Sequence, residues 1–233
     1  MGYAAVIEPF SVFWWRTSLN FLVIGVAIFI IMASAPKVVQ RRFSKCLGVA
    51  LLFDIAFSQF VYYYMGSWNI HWALPLQYCT VMEFCAAIVL ITRGQKFYEL
   101  VLFLGAVGPI QALITPAFPY AGDYFFYDFY FSHAAPIFVP IFLTITEGMR
   151  PRKNAWWKRV CGFALFIFAV FYFDYFTDSN YMFLMERPPL EHPLLGFGEW
   201  PEYIILWFAV ILAWSALINL VFLISFRKQV FHR

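Results

Sequence analysis

Seven long apolar stretches occupy most of the sequence and leave little of the chain outside them. A transmembrane helix needs about 20 apolar residues. The stretches cover residues 17–35, 46–65, 72–92, 97–118, 124–146, 155–176 and 201–226. Only 12% of the residues are charged, against about 25% in a typical soluble chain. The sequence therefore predicts an all-α polytopic membrane protein, with residues 1–233 forming a single seven-span domain.

Basic residues predict the direction of the spans, because loops on the cytoplasmic side carry an excess of lysine and arginine. With seven spans, 14 of the 16 lysines and arginines fall on one side of the membrane, and Arg16 and Arg187 fall on the other. This distribution predicts an extracytoplasmic N-terminus and a cytoplasmic C-terminus. The first apolar stretch lacks a basic n-region and a small-residue cleavage site, so we interpret it as a span. The polar, proline-rich segment 178–200 is predicted to be an extracytoplasmic loop.

Polar residues inside the predicted spans are the candidates for function. At about 1.5 Å of rise per residue, a helix entering at Trp72 would place Cys79 about 10 Å and Glu83 about 16 Å below the outer boundary. The fifth span would place His133 about 13 Å deep. A thiol and an imidazole from two helices are therefore expected at one level. Cys79 and Glu83 are spaced i, i+4 and share a helix face.

Structural explanations compete with functional ones for these residues. A single cysteine in a span usually behaves as a small hydrophobic residue. Asp54 and Glu83 can hydrogen-bond between helices, and Asp54 has polar neighbours in the same stretch. A histidine in hydrocarbon is more often functional. Because a cysteine nucleophile needs a base and histidine is the usual one, the shared depth favours a catalytic pair of Cys79 and His133.

The remaining parts of such a site stay open at the level of sequence. An oxyanion hole requires hydrogen-bond donors, and the candidates are Gln77, Gln111, Asn180 and backbone N–H groups freed near Pro75. A third residue that orients His133 is expected to be Glu83 or Asp174. The prolines within and before these spans either kink the helices for packing or open a cavity toward the outer leaflet.

Three segments carry a resemblance to a known family: "LPLQYC" in the third stretch, "SHAAPIFVP" in the fifth, and "SNYMFLMERPP" followed by "HPLLGFGEWPEYI" before the seventh. Together they resemble the YwaF-type bacterial integral membrane proteins, which are related to transmembrane protein 164. The resemblance implies a seven-span Cys/His acyltransferase that moves an acyl chain between phospholipids. It places the nucleophile at Cys79 and the base at His133. A more distant set of membrane hydrolases is similar in layout but uses threonine with histidine.

The predicted function is therefore a membrane-embedded lipid acyltransferase or lipid hydrolase that works through an acyl-thioester. Its expected partner is a membrane phospholipid or lysophospholipid, in what the resemblance implies is a bacterial cytoplasmic membrane. No cofactor, metal or nucleic acid is expected. Competing interpretations are a proton-coupled small-molecule transporter and a non-catalytic subunit of a membrane complex. A metal site is disfavoured because the spans offer one histidine. The oligomeric state stays open.

Overall fold

The computed structural model of the chain describes residues 5–188 and 198–230. Part of the predicted outer loop, 189–197, and the terminal residues therefore lie outside the described residues. The helices are α1 (Val12–Ser34), α2 (Lys37–Tyr64), α3 (Tyr78–Thr92), α4 (Gln95–Leu104), α5 (Val107–Ile114), α6 (Asp123–Thr146), α7 (Ala155–Thr177), a 3-10 helix (Tyr181–Phe183) and α8 (Glu202–Val230). Two short strands, β1 (Ala5–Val6) and β2 (Ala117–Phe118), pair antiparallel, with Ala5 opposite Phe118.

Each predicted apolar stretch contains a helix or a pair of helices. Among the described residues, five helices are long and apolar enough to cross a membrane: α1, α2, α6, α7 and the Glu202–Ser225 part of α8. The helices α4 and α5 meet at a bend of 40° and together count as a sixth. The helix α3 is apolar but has 15 residues. The all-α prediction is confirmed, and the described residues contain five or six helices of spanning length, as in an integral membrane protein.

The helix α3 lies at the centre of the bundle, in contact with α2, α4, α5 and α6. Met82, Ala86 and Leu90 are completely buried within it. The helix α2 approaches α3 closely at Gly48, where an added Cβ would lie 2.8 Å from the side chain of Ile91 and 2.9 Å from the Ala87 carbonyl. This contact requires glycine, because a methyl group would push the two helices apart.

The prediction that the third span is helical from residue 72 is wrong. Residues 72–77 form turns, and α3 begins at Tyr78 with Gln77 as its N-cap. Proline disfavours helical geometry in the residue before it, here Leu74, and Pro75 itself has no N–H to donate. Cys79 is therefore the second residue of its helix rather than the eighth, and the depths calculated from a continuous helix no longer apply.

The fourth predicted span, 97–118, is also not one helix. Gly105 and Ala106 separate α4 from α5, and Pro109 lies in the first turn of α5, where its missing N–H costs no helical hydrogen bond. By contrast, α6 runs without a break through Pro136 and Pro140. Gly105 packs against this part of α6, since an added Cβ there would lie 2.8 Å from the Pro136 carbonyl oxygen. The bend thus brings α5 against α6 and α3.

An ion-pair cluster around the buried Glu99 holds α4 to the segment before α7 and to α7 itself. Glu99 is fully buried and receives hydrogen bonds from the Arg152 Nε at 2.7 Å and the Arg159 Nε at 3.1 Å. The Glu99 carboxylate raises the pKa of Arg152, mainly through their hydrogen bonds. The cluster lies at the end of the bundle opposite the turn at 72–77 and closes that end with a charged network.

Candidate active site

A cavity of about 530 Å³ opens among α3, α5, α6 and α8. Its lining includes Cys79, His133, Gly108 and Trp207, one from each of these helices. The segment 180–187 and the turns at 71–72 line the same cavity. The cavity therefore gathers side chains from parts of the sequence that the apolar pattern alone does not connect.

Cys79 lies in the first turn of α3, at the edge of this cavity. Gln77 takes an extended conformation and accepts the backbone N–H of Val81, which starts the helix. Within the described part of the chain, the backbone N–H groups of Tyr78, Cys79 and Thr80 have no hydrogen bond. Unpaired N–H groups and the helix dipole make a helix N-terminus favourable for negative charge. The first turn of α3 therefore offers hydrogen-bond donors to an oxyanion that forms beside the thiol.

Tyr78 anchors this turn. Its ring is buried and its hydroxyl donates a hydrogen bond of 2.6 Å to the carbonyl of Leu104, at the end of α4. The ring packs edge-on against Phe163 and Trp207. A Cβ added at Gly108 would lie 2.6 Å from this ring and 3.4 Å from the Cys79 Sγ. The position of the thiol thus depends on glycine at residue 108 of α5, because any larger residue would displace the Tyr78 ring.

His133 is held by its own helix. Its Nδ1 lies 2.7 Å from the Phe129 carbonyl oxygen and 3.1 Å from the Ser132 hydroxyl, and its ring stacks on Phe129 at 4.2 Å. A carbonyl can only accept a hydrogen bond, so Nδ1 carries the proton and Nε2 of the neutral ring has a free lone pair. No direct hydrogen bond joins His133 to Cys79 among the described residues, although both line the cavity.

The model of the TMEM164 family matches residues 9–219. The chain belongs to the TMEM164 family. The family match covers α1 through most of α8, including both Cys79 and His133. No curated protein and no solved structure matches the chain.

The candidate oxyanion donors differ in whether their side-chain amide N–H groups already have an acceptor. The Gln77 Oε1 accepts the backbone N–H of Met182 at 3.0 Å, and its Nε2 has no acceptor among the described residues. Asn180 is occupied, since its Oδ1 accepts from the Met185 and Glu186 backbones and its Nδ2 donates to the Glu186 carbonyl. The Gln111 Nε2 donates to the Thr115 hydroxyl at 3.4 Å. All three line the cavity, and Gln77 offers a free donor.

The candidate orienting carboxylates lie elsewhere. Glu83 and Asp174 are buried, do not line the cavity, and make no hydrogen bond to His133 within the described residues. The Phe129 carbonyl takes the place that an orienting carboxylate would have. Asp174 lies near the backbone N–H of Tyr181. Asp54 also does not line this cavity, and it lies within electrostatic range of Glu83.

Asp128 is a cavity residue that the sequence reasoning missed. It accepts hydrogen bonds from the Ser58 hydroxyl at 3.1 Å and the Tyr124 hydroxyl at 3.5 Å, and it contacts Asp54. Its position five residues before the intramembrane histidine could have identified it. Because it lies near the predicted start of the fifth span, at residue 124, it resembled a residue of the membrane boundary. Among the described residues, no group of three His, Cys, Asp or Glu side chains is arranged to hold a metal ion.

Proposed function

We propose that the chain is a membrane-embedded lipid acyltransferase or lipid hydrolase, with Cys79 as nucleophile and His133 as base. The observation that carries the proposal is the shared cavity, which Cys79 enters from the start of α3 and His133 enters from α6 with Nε2 unprotonated. A cysteine nucleophile with a neutral imidazole base is sufficient for acyl transfer. Catalytic contacts are often longer in the absence of substrate, so the missing direct hydrogen bond is compatible with this pair.

The reaction follows from these groups. The His133 Nε2 takes the proton of the Cys79 thiol, and the thiolate attacks the carbonyl carbon of a lipid ester. The C–O bond breaks, His133 returns the proton to the departing lyso-lipid oxygen, and an acyl-thioester remains on Cys79. A second hydroxyl then attacks the thioester carbonyl carbon while Nε2 accepts its proton. The C–S bond breaks, and His133 returns that proton to the Cys79 sulfur. A lysophospholipid hydroxyl gives transfer, and water gives hydrolysis.

The developing oxyanion has suitable donors beside the nucleophile. The unpaired backbone N–H groups of Cys79 and Thr80 point out of the N-terminus of α3, and the Nε2 of Gln77 is free at the residue before the helix. Removing one oxyanion donor typically costs about 100- to 1,000-fold in kcat. We assign the oxyanion hole to this turn rather than to Asn180, whose polar atoms already hold the 180–186 segment together.

For the membrane arrangement we propose seven crossings. In this arrangement α3 and the turns at 72–77 cross together, and α4 and α5 form one bent crossing. The N-terminus is then outside and the C-terminus cytoplasmic, since the basic residues at the start of α2 and in the segments after α3 and α6 all fall on one side. The cavity mouth at 71–72 and 180–187 faces outward. We assign the chain to a bacterial cytoplasmic membrane on the YwaF-type resemblance of its motifs.

The decisive experiment looks for the covalent intermediate. Purified protein in nanodiscs is mixed with a fluorescent-acyl phospholipid, quenched in acid, and analysed by intact mass and peptide mapping. We expect one acyl group on Cys79, released by neutral hydroxylamine as a thioester requires. Cys79→Ser should carry no hydroxylamine-sensitive label and should lose turnover. Full turnover in Cys79→Ser would disprove the nucleophile and favour the alternatives.

One observation favours a second candidate, a proton-coupled small-molecule transporter. Asp54, Glu83 and Asp128 lie on three different helices within electrostatic range of one another, and intramembrane carboxyl clusters are a feature of proton-coupled carriers. Uptake of protons into proteoliposomes that depends on a co-substrate would support the carrier. Acylation of Cys79 without proton movement would support the enzyme. A non-catalytic subunit would show neither.

A further inference from the structure

Three carboxyl groups of the bundle, buried Glu83 and half-buried Asp54 and Asp128, have no basic partner among the described residues. Asp54 of α2 lies within electrostatic range of Glu83 of α3 and of Asp128 of α6, and Asp54 and Asp128 line one smaller pocket. Within the described part of the chain, no lysine or arginine forms an ion pair with any of them. Glu83 is 3% exposed, and its Oε1 has no hydrogen-bond partner. Intramembrane carboxyl groups are costly unless they are paired or serve a ligand.

Three carboxyl groups this close together do not all carry a charge, because like charges disfavour one another. A carboxyl group keeps its charge most readily where hydroxyl groups donate hydrogen bonds to it. Asp128 is the group that reaches the cavity, and it already accepts hydrogen bonds from the Ser58 and Tyr124 hydroxyls at its Oδ1. Of the three groups, Asp128 is therefore the one that can present a carboxylate at the cavity wall.

Aromatic rings line the cavity beside Asp128. Tyr62 and Trp72 pack edge-on with ring centroids 4.8 Å apart, and Tyr62 and Phe125 stack at 6.2 Å. All three line the cavity with Asp128, and the Tyr62 phenol lies within electrostatic range of the Asp128 carboxyl. Aromatic faces combined with a carboxylate are the chemistry that binds an organic ammonium group, because the cation is attracted to both the ring faces and the charge.

We propose that this part of the cavity, formed by Asp128, Tyr62, Trp72 and Phe125 and here named the ammonium subsite, binds an organic ammonium group. Its source is the amine headgroup of a phospholipid, in which case the inference rests on the proposed function, or a free amine. Asp128 precedes His133 by five residues, roughly 7.5 Å along α6. That separation allows one phospholipid to place its headgroup nitrogen at the ammonium subsite and an ester near Cys79.

The test measures binding to the Cys79→Ala protein, which keeps the lipid intact. Dihexanoyl phosphatidylcholine and dihexanoyl phosphatidylglycerol are titrated into protein in dodecyl maltoside by calorimetry. The two lipids share their chains and phosphate, but the first carries a quaternary ammonium headgroup and the second an uncharged glycerol headgroup. We expect the choline lipid to bind about 10-fold more tightly. Asp128→Asn, which keeps an acceptor for Ser58 and Tyr124, should reduce that preference to about twofold or less and leave the glycerol lipid unchanged.

A second pair of variants tests the rings separately from the charge. Tyr62→Phe keeps the aromatic face and should retain the preference, whereas Tyr62→Leu should lose most of it at similar thermal stability. Tetramethylammonium chloride, compared with sodium chloride at equal ionic strength, separates the two sources. Competition with the choline lipid shows that one subsite accepts both. Tetramethylammonium binding without any lipid preference identifies a free amine as the occupant.

Equal binding of the two lipids with no effect of tetramethylammonium would overturn the ammonium subsite. The outcome is distinguishable from failure of the proposed function. A protein that prefers the choline lipid but acylates no lipid retains the ammonium subsite and loses the enzyme assignment. A protein that forms the Cys79 thioester without headgroup preference retains the enzyme assignment and loses the ammonium subsite.

Discussion

The hydroxyl of Tyr78 donates a hydrogen bond of 2.6 Å to the carbonyl of Leu104, and this contact joins the start of α3 to the bend between α4 and α5. A bent helix exposes carbonyls that a straight helix would pair, and here a side chain from the neighbouring helix pairs one of them. Cys79 is the next residue along the chain. The geometry of the thiol is therefore coupled to a break in a different helix.

Removing this hydroxyl should loosen the site. Tyr78→Phe leaves the Leu104 carbonyl buried without its partner, and an unsatisfied buried group costs about 1–3 kcal/mol. We expect a lower thermal unfolding midpoint in detergent and slower lipid turnover. Tyr172→Phe in α7 is the matched control, since Tyr172 is exposed and makes no hydrogen bond within the described residues. Equal midpoints for both variants would show that the Tyr78 contact is unimportant.

Gly108 should not tolerate alanine. Its added Cβ would lie 2.6 Å from the Tyr78 ring and 3.4 Å from the Cys79 Sγ, so the first turn of α3 must shift. Displacing a catalytic group by about 1 Å can reduce turnover about 100-fold, and we expect a loss between about 10- and 100-fold. Gly162→Ala in α7 is the control, because nothing lies within 4 Å of its Cβ position. Unchanged turnover in Gly108→Ala would contradict the placement of Cys79 described here.

Cys79 and His133 should behave as one unit. We expect Cys79→Ser and His133→Ala each to lower turnover of a fluorescent phospholipid by at least about 100-fold. The double variant should be no worse than either single variant, because members of one catalytic unit are strongly non-additive. Cys85→Ser, on the same helix but outside the cavity lining, should retain activity. Multiplicative losses in the double variant would indicate two independent effects.

Glu83→Gln should have a mild effect on turnover, within about tenfold of the wild type. Glu83 contacts Asp54 rather than His133, whose Nδ1 is already held by the Phe129 carbonyl. The measurement is the same turnover assay, with thermal unfolding to correct for folded fraction. A loss as large as that of His133→Ala would restore Glu83 as the residue that orients the imidazole.

The membrane orientation can be tested by cysteine labelling in whole cells. In a variant whose four native cysteines are replaced by alanine, Asp178→Cys should react with a membrane-impermeant maleimide before lysis. Lys153→Cys should react after lysis alone, because its loop carries the basic residues expected to be cytoplasmic. The reverse pattern would invert the proposed orientation and turn the cavity mouth toward the cytoplasm.

Residue type and apolar run length were enough to predict the membrane class and the approximate place of each helix. The fifth and sixth predicted spans, 124–146 and 155–176, agree with Asp123–Thr146 and Ala155–Thr177 within a residue at each end. Burial of apolar side chains in lipid acts on each segment separately, so a single segment reveals it. Cys79 and His133 could be identified as candidates for the same reason, because each is a polar residue within a stretch that is otherwise apolar.

The arrangement around Cys79 required the tertiary structure. The start of α3 at Tyr78 depends on turns that the Tyr181 hydroxyl helps hold, 107 residues away from Leu74. The Tyr78 contact with Leu104, the close approach of Gly108 and the carboxyl contacts of Asp54 all join different helices. Contacts of this kind depend on how helices pack and where they bend. Hydropathy records how well a segment dissolves in lipid and carries no information about which neighbour it will meet.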